Sequence, residues 1–321
     1  MNPIAASIDQ PSIEHLTARD AGLLAYRRAG RFAVSLGGAL GTETTRRALW
    51  TRFVALHPHP MGAYLTREEA EMVRAVDPRS HVVPFGVEYI VSPHAIMRAQ
   101  SISKEAASAA RKAPRKGLSL LEVDSFAPWA AELAAINHRF CTRSEIGEEL
   151  QFLNRPALAG GVRPRRFLIR HRTTLLGFVE LDRAPAAPER SLLNIIRFDR
   201  CSVWGVYHWV VDHLVRDLAH DPDAELSLGF SPLSPHALSH GVFHASALVR
   251  AQVEWLVGSR QRFYSLEAVE QMKALWPHRV EPRYLTFRTP NVIAAGNALC
   301  VAHGLAWTRI AMRRLAEQWR G

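Results

Sequence analysis

Several polar residues stand at the ends of apolar, strand-like runs of the sequence, where a substrate can meet them. Arg197 follows the run LNII, and a guanidinium there can bind a ribose, a phosphate or a carboxylate through paired hydrogen bonds. Asn194 lies three residues earlier, so it faces the opposite side of the strand unless a bulge intervenes. Gly229 and Ser231 close the run ELSLGFS, where a glycine lets a substrate approach and backbone N–H groups can polarise a carbonyl. We predict Arg197, Asn194 and Ser231 as catalytic residues and Gly229 as a substrate-binding residue.

A second group of candidates lies between Lys273 and Tyr284. Arg283 is suited to binding a phosphate, and Tyr284 to orienting an ester or reprotonating its leaving oxygen. The alternative for this pair is a salt bridge between Arg283 and Glu281 beside a tyrosine of the core. Lys273 adds positive potential for an anionic substrate, unless it only lies on a solvated helix face. We predict Tyr284 as catalytic and Lys273, Glu281 and Arg283 as substrate-binding residues.

A dense basic cluster precedes Gly117. It consists of Arg111, Lys112, Arg115 and Lys116. Such a cluster can follow the phosphates of an RNA backbone, although a solvated helix face has the same composition. The chain has 40 Lys and Arg residues against 30 Asp and Glu residues, a formal net charge of +10. This excess favours a polyanionic partner, whether tRNA, an anionic lipid surface or a phosphorylated small molecule.

The remaining polar residues argue against a metal site or a disulfide framework. His236, His240 and His244 recur at a spacing that one helical face can use for a metal, but no acid lies among them in the HExxH manner. We predict no metal and no cofactor. The 3 cysteines form no CxxC pair, which is typical of a reducing compartment. Since there is neither a signal-peptide pattern nor a stretch of ~20 apolar residues, we expect a cytoplasmic protein with at most peripheral membrane contact.

Apolar runs and segments of helical period alternate along the chain, which predicts an α/β (α+β) fold. The clearest predicted strands cover residues 31–36, 118–123, 166–181 as a hairpin, 192–198, 225–230 and 283–287. The clearest predicted helices cover residues 42–57, 67–76, 101–116, 205–219, 235–257 and 266–275. We place a domain boundary after the basic helix, which divides the chain into residues 1–116 and 117–321.

Five segments occur in the same order as in a known family. They are SKEAASAARKAPRKG (103–117), LGFVEL (176–181), LNIIR (193–197), LSLGFSPL (226–233) and FYSLEAVEQMKALWPHRVEPRYL (263–285). Together they resemble the catalytic domain of phosphatidylglycerol lysyltransferase, the multiple peptide resistance factor. In that family the third segment typically reads LDLMR, the fourth LSLGxAPL, and the last ends in W-x-P-R-Y-L.

The resemblance implies two GNAT-like domains in tandem, each a mixed sheet flanked by helices, with aminoacyl-tRNA as the donor. It also implies transfer of the aminoacyl group to a hydroxyl or an amine, and the activated ester requires no cofactor. Under this hypothesis Arg283, Lys273 and the basic cluster contact the tRNA. The acceptor is then a small molecule or, as a second choice, phosphatidylglycerol or another lipid.

The chain departs from the family pattern at several points. We expect no counterpart of the family's membrane-embedded N-terminal domain, Asn194 replaces the aspartate of LDLMR, and Ala274 and Leu275 follow Lys273 where a second lysine is expected. A site with fewer acids predicts seryl, alanyl, glycyl or valyl donors as readily as a cationic one. Two other functions stay open. One is an acyl-CoA-dependent N-acyltransferase, although its R/Q-x-x-G-x-G/A turn is not found, and the other is a tRNA- or lipid-binding module without catalysis.

Overall fold

A mixed sheet of eleven strands forms the framework of the molecule. The computed structural model describes residues 13–19, 21–100, 102–143, 158, 164–184, 187–199, 205–259 and 266–305. The strands are β1 (Glu14–Thr17), β2 (Leu23–Ala29), β3 (Phe32–Leu36), β4 (Pro60–Leu65), β5 (His81–Val91), β6 (Leu118–Val123), β7 (Arg165–His171), β8 (Thr174–Ala184), β9 (Ala187–Phe198), β10 (Glu225–Pro232) and β11 (Arg279–Phe287). Their spatial order is β1-β2-β3-β4-β11-β5-β10-β9-β8-β7-β6.

Helices cover both faces of this sheet, which confirms the predicted α/β fold. They are α1 (Glu43–Leu56), α2 (Arg67–Val76), α3 (Pro93–Ala99), α4 (Lys104–Arg115), α5 (Ala130–Arg143), α6 (Val206–Leu218), α7 (Pro235–His240), α8 (Ala247–Gly258), α9 (Leu266–Ala274) and α10 (Val292–Ala302). Thr66 accepts a hydrogen bond from the backbone N–H of Glu69, so α2 begins where its capping residue predicts. Within the described residues, no helix has the length and apolar character that crossing a bilayer requires.

One predicted helix, over residues 235–257, is wrong. The structure divides it into α7 and α8, because α7 ends at His240, just before Gly241, and Ser246 caps a new helix by accepting from the N–H of Val249. His244 lies between the two helices and forms an isolated bridge with Val82. His236, His240 and His244 therefore share no helical face. Among the described residues, no group of three or more His, Cys, Asp or Glu side chains is arranged to hold a metal ion.

Two pairs of neighbouring strands are parallel, β3 with β4 and β9 with β10. Each pair is connected through a helix, α1 in the first case and α6 in the second, so a strand–helix–strand unit occurs twice. Strand β11, near the end of the described chain, inserts between β4 and β5 and is antiparallel to both. Residues 1–116 and 117–321 therefore contribute strands to one continuous sheet, and the domain boundary between them stays a prediction.

The core on one face of the sheet holds α4 against α6. Three buried alanines of α4, Ala106, Ala109 and Ala113, allow this close packing. A Cβ added to Gly205, just before α6, would lie 2.4 Å from the Cβ of Ala109. Helix α4 consequently covers the N-terminal end of α6, the end at which the chain arrives from β9.

Candidate functional site

Strands β9 and β10 part after a short stretch of parallel pairing. Only Glu225 to Ser227 of β10 pair with β9, opposite Arg190 to Leu192. Immediately afterwards the register of β10 against β5 shifts between Ser227 and Phe230, and Gly229 takes a φ of 89°. This conformation favours glycine, and bulges of this kind occur next to active sites because they redirect a strand. The opening between the two strands is therefore the candidate functional site.

Lys273 reaches this opening from α9. Its Nζ donates to the backbone carbonyl of Phe230 at 2.9 Å and to Ser231 Oγ at 3.2 Å. A Cβ added to Gly229 would lie 3.8 Å from the same Nζ, so the predicted residues Gly229, Ser231 and Lys273 come together here. Lys273 is only 6% exposed, and the alternative that it lies on a solvated helix face is wrong.

The charge of Lys273 is held in a buried, partly acidic setting. Burial lowers the pKa of Lys273 to about 8, while the nearby carboxylates of Glu88 and Glu270 act in the opposite direction. Glu270 Oε1 accepts from Tyr89 Oη at 2.9 Å and also from the hydroxyl of Ser234. These contacts keep the Glu270 carboxylate in place on the same helix as the lysine.

Arg283 is part of an ion-pair network in the sheet. It is 4% exposed and donates to Glu88 Oε2 from Nε at 3.0 Å and to Glu281 Oε2 from Nη2 at 2.8 Å. Two carboxylates surround this buried guanidinium, so a phosphate would have to displace one of them, and the role of Arg283 in binding a phosphate stays a prediction. The salt bridge with Glu281, which was the alternative, is present.

Glu281 is the centre of the network and links β11 to β9. Arg190 of β9 donates to both of its carboxylate oxygens, at 3.0 and 2.9 Å, and Arg279 donates to Oε1 at 2.9 Å. Burial alone would raise the pKa of Glu281, but these arginines and Arg283 lower it to about 2. Glu281 therefore stays ionised and is paired with protein cations, which fix β9 to β11, and Arg190 also donates to Glu225 of β10 at 2.7 Å. A role of Glu281 in binding substrate stays a prediction.

Tyr284 belongs to the core of the first half of the molecule. The register of β11 against β5 shifts between Arg283 and Tyr284, and the tyrosine ring is fully buried among residues such as Trp50 and Leu65. Its Oη accepts from the backbone N–H of Val242 at 3.4 Å. Its side chain is packed into this core, as the alternative of a core tyrosine predicts, and a catalytic role of Tyr284 stays an untested prediction.

A bulge in β9 brings Asn194 and Arg197 to the same face of the sheet. The register against β8 shifts between Glu180 and Leu181, so that Asn194 is the extra residue of β9. Asn194 Nδ2 donates to Asp182 Oδ2 at 2.7 Å, on the face that α5 covers. Arg197 Nε donates to Asn137 Oδ1 of α5 at 3.2 Å, and its guanidinium lies 4.7 Å from the Phe140 ring centre.

Two buried acids beside Asn194 were missed by the sequence analysis. Glu180 is fully buried and Asp182 is 5% exposed, and their spacing of two places them on the same face of β8. Glu88, in the apolar run GVEYIV, was missed in the same way. In each case the available signal was an acid inside a strand that is otherwise apolar, because burial of a carboxylate requires a nearby partner.

The basic cluster lies on the outer surface of α4. Arg111, Lys112, Arg115 and Lys116 are exposed, while the alanines of the same helix face α6. The end of α4 that carries the cluster lies beside the turn between β7 and β8, because His171 Nε2 is 3.0 Å from the Lys116 carbonyl and the Arg172 N–H donates to the Gly117 carbonyl at 2.8 Å. It does not belong to the buried site around Lys273.

Comparisons with known proteins agree with this architecture. The model of the family described as phosphatidylglycerol lysyltransferase, C-terminal, matches residues 10–287. A C-terminal domain attributed to a lysylphosphatidylglycerol synthetase of Agrobacterium fabrum is 14% identical, with a TM-score of 0.71 and coverage of 91% of this chain and 88% of that chain.

Two further solved structures share the fold. L-PGS from Bacillus licheniformis is 14% identical, with a TM-score of 0.68 and coverage of 92% of this chain and 89% of that chain. FemX is 8% identical, with a TM-score of 0.52 and coverage of 90% and 91%. A comparison with curated proteins finds no match. Because the family model spans most of the sequence, the chain belongs to the phosphatidylglycerol lysyltransferase C-terminal family and is, like that family, a transferase.

Proposed function

We propose that this protein transfers an amino acid from aminoacyl-tRNA to a hydroxyl or amine acceptor, in the cytoplasm, at the opening between β9 and β10. The observation that carries the proposal is the buried ammonium of Lys273, bonded to the Phe230 carbonyl and to Ser231 Oγ beside the bulge at Gly229. Family membership supports the class of reaction. The substrates and the residue roles below are our inference.

The reaction needs positioning and one proton transfer rather than further activation. The acceptor nitrogen or oxygen attacks the ester carbonyl, the bond from that carbonyl to the ribose oxygen breaks, and the acceptor's proton ends on the ribose hydroxyl. An ammonium has three N–H donors, and two of those of Lys273 are used on the described protein groups. The third donor would stabilise the negative charge that develops on the ester, in a setting where burial strengthens the interaction.

The donor tRNA would approach over α4. Arg111, Lys112, Arg115 and Lys116 are exposed on α4, the helix whose Ala109 contacts Gly205 at the start of α6, and α6 follows β9 in the chain. Contacts with phosphates give affinity without requiring the exact base sequence. The ribose and the amino acid would then enter the opening, while the rest of the tRNA stays on the basic surface.

The burial of the site fits a small-molecule acceptor better than a lipid. Ser231 is 4% exposed and Lys273 is 6% exposed, so an acceptor that enters the opening whole must be small. A lipid such as phosphatidylglycerol, whose headgroup alone would enter, is the second candidate, and the descriptions of similar structures support it.

The first strand–helix–strand unit (β3, α1 and β4) does not favour binding of the alternative donor, an acyl-CoA. There a glycine-rich turn at residues 37–41 precedes α1, the place where backbone N–H groups hold a pyrophosphate in such enzymes. The Glu69 carboxylate already occupies this turn, since its Oε2 accepts from the Ala39 N–H at 3.4 Å and from Trp50 Nε1 at 2.6 Å. A phosphate would have to displace this carboxylate, whose other oxygen, Oε1, is paired with Arg46 Nη1 at 2.7 Å.

The proposal is tested with the purified chain and tRNA charged with one labelled amino acid at a time. Release of label is measured alone, with a metabolite extract and with phosphatidylglycerol vesicles, and a parallel series uses acyl-CoA donors. We expect acceptor-dependent loss of one label, with the product in the aqueous phase for a small acceptor and in the organic phase for a lipid. If an acyl-CoA supports transfer and none of the charged tRNAs does, the proposal that aminoacyl-tRNA is the donor is wrong. Binding of aminoacyl-tRNA without transfer to any acceptor would indicate a non-catalytic module.

A further inference from the structure

Ser227 is a buried hydroxyl at the last paired position of β10 before the opening. It is 0% exposed, and its Oγ lies 2.5 Å from Glu88 Oε1 of β5. The same Oγ is 3.1 Å from the backbone N of Gly229. An ionised carboxylate only accepts hydrogen bonds, so the hydroxyl proton points to Glu88 and a lone pair of Oγ accepts the Gly229 N–H. The three groups form a hydrogen-bond relay in which Gly229 N–H donates to Ser227 and Ser227 donates to Glu88, and neither bond can be reversed.

The surroundings of Glu88 keep its carboxylate ionised, so that it can accept the Ser227 hydroxyl. Burial alone would raise its pKa, but Arg283 and the Ser227 hydroxyl lower it below the usual value. Arg283 binds the other carboxylate oxygen, Oε2, which leaves Oε1 for the hydroxyl. Both carboxylate oxygens therefore have a donor, and the Ser227 hydroxyl cannot rotate without leaving Oε1 without one.

We propose that Glu88 and Ser227 are positioning residues, which hold the bulge at Gly229 and thereby set the Phe230 carbonyl and Ser231 Oγ on Lys273. The hydrogen bond from Gly229 N–H to the side chain two residues earlier curls the backbone at the point where β10 leaves β9. The next residue, Phe230, then presents its carbonyl to Lys273 Nζ. This inference rests on the proposed function, since Lys273 is the group that would meet the ester.

Stability alone gives a weak reason for such an arrangement. Well-packed apolar side chains commonly replace a buried ion pair with no loss of stability, and the neighbours of Glu88 on β5, Val87 and Tyr89, are both buried in the hydrophobic core. A relay that fixes one backbone N–H at the edge of the opening explains why polar groups are kept at this depth. Neither side chain is expected to touch the substrate.

The test compares Ser227→Ala with Ser227→Thr, which keeps the hydroxyl. Losing a buried hydrogen-bond partner that orients a reacting group lowers kcat by roughly 10- to 100-fold, and we expect the KM for aminoacyl-tRNA to change less than about 3-fold. Ser227→Thr should recover most of kcat. The matched control is Ser35→Ala, because Ser35 is equally buried in β3 and its Oγ has no hydrogen-bond partner among the described residues. If Ser227→Ala does not fold, Ser227→Cys replaces it, with a smaller loss expected from its weak S–H donor.

A second readout separates this proposal from the proposed function. Hydrogen exchange of the backbone amides at residues 229–231 is measured in Ser227→Ala and in Ser35→Ala, without any substrate. Faster exchange in Ser227→Ala alone supports the relay even if the protein transfers nothing from any charged tRNA. Unchanged exchange at these amides, or a kcat of Ser227→Ala equal to that of Ser35→Ala in an active enzyme, would overturn it.

Discussion

Replacing Lys273 by methionine should remove activity without weakening the fold. Methionine has a similar length and fills the same buried space, but it carries no charge and no donor. Burial lowers the lysine pKa from its ordinary 10.5 to about 8. Each pKa unit corresponds to about 1.4 kcal/mol, so keeping this ammonium charged at neutral pH costs about 3 kcal/mol of folding free energy.

Removing the buried charge therefore stabilises the variant, but part of this stabilisation is lost because two hydrogen bonds are removed with it. The Phe230 carbonyl and Ser231 Oγ lose a donor each, and a typical hydrogen bond contributes about 1 kcal/mol. We therefore expect Lys273→Met to be about 1 kcal/mol more stable than the wild type at pH 7. The difference also depends on pH. Between about 8 and 10.5 the unfolded lysine binds more protons than the folded one, so wild-type stability rises with pH in that window and the advantage of the variant shrinks.

Two assays check this reasoning. Urea unfolding at pH 7 and pH 10 gives the stability difference, and single-turnover transfer of labelled amino acid gives the rate, which should fall at least 100-fold. Lys104→Met, at an exposed position at the start of α4, is the control and should change neither quantity. A loss of more than about 2 kcal/mol in Lys273→Met would show that the lysine has a structural role. Retention of wild-type transfer would remove it from the mechanism.

Three further predictions concern the same site. If the ammonium form of Lys273 acts, kcat should be level below pH 7 and fall as pH rises through about 8, measured as a pH–rate profile; a rise through the same pH would indicate a general base instead. Reversing charge at Lys112 and Arg115 should raise the KM for aminoacyl-tRNA at least about 5-fold and reduce its salt dependence, and an unchanged salt slope would contradict a tRNA-binding role for α4. Gly229→Ala forces a side chain into a left-handed conformation (φ 89°), which should cost about 1 kcal/mol in urea unfolding and lower kcat, whereas Gly258→Ala, at a helix end with open space around it, should lower neither.

The sequence by itself determined the local elements and the family. The spacing of apolar residues predicted the helix at residues 67–76 and the hairpin over 166–181 because helix and strand periods depend on residues a few positions apart. The ordered segments between residues 103 and 285 indicated the family, which the family model confirms. Gly229, Ser231 and Lys273 were also named from sequence, since a glycine at a strand end and a nearby lysine are visible without coordinates. Their roles stay predictions.

Only the tertiary structure decided which of these residues meet. Glu88 and Arg283 are almost two hundred residues apart, and their ion pair exists because β11 inserts beside β5. The register shift that follows Arg283 directs Tyr284 into a core, a change of face that no local pattern announces. Burial of Lys273, and with it the lowered pKa, depends on how α9 packs against the end of β10. Such contacts depend on strand order and register, which arise from pairing between distant parts of the chain and not from the sequence around each residue.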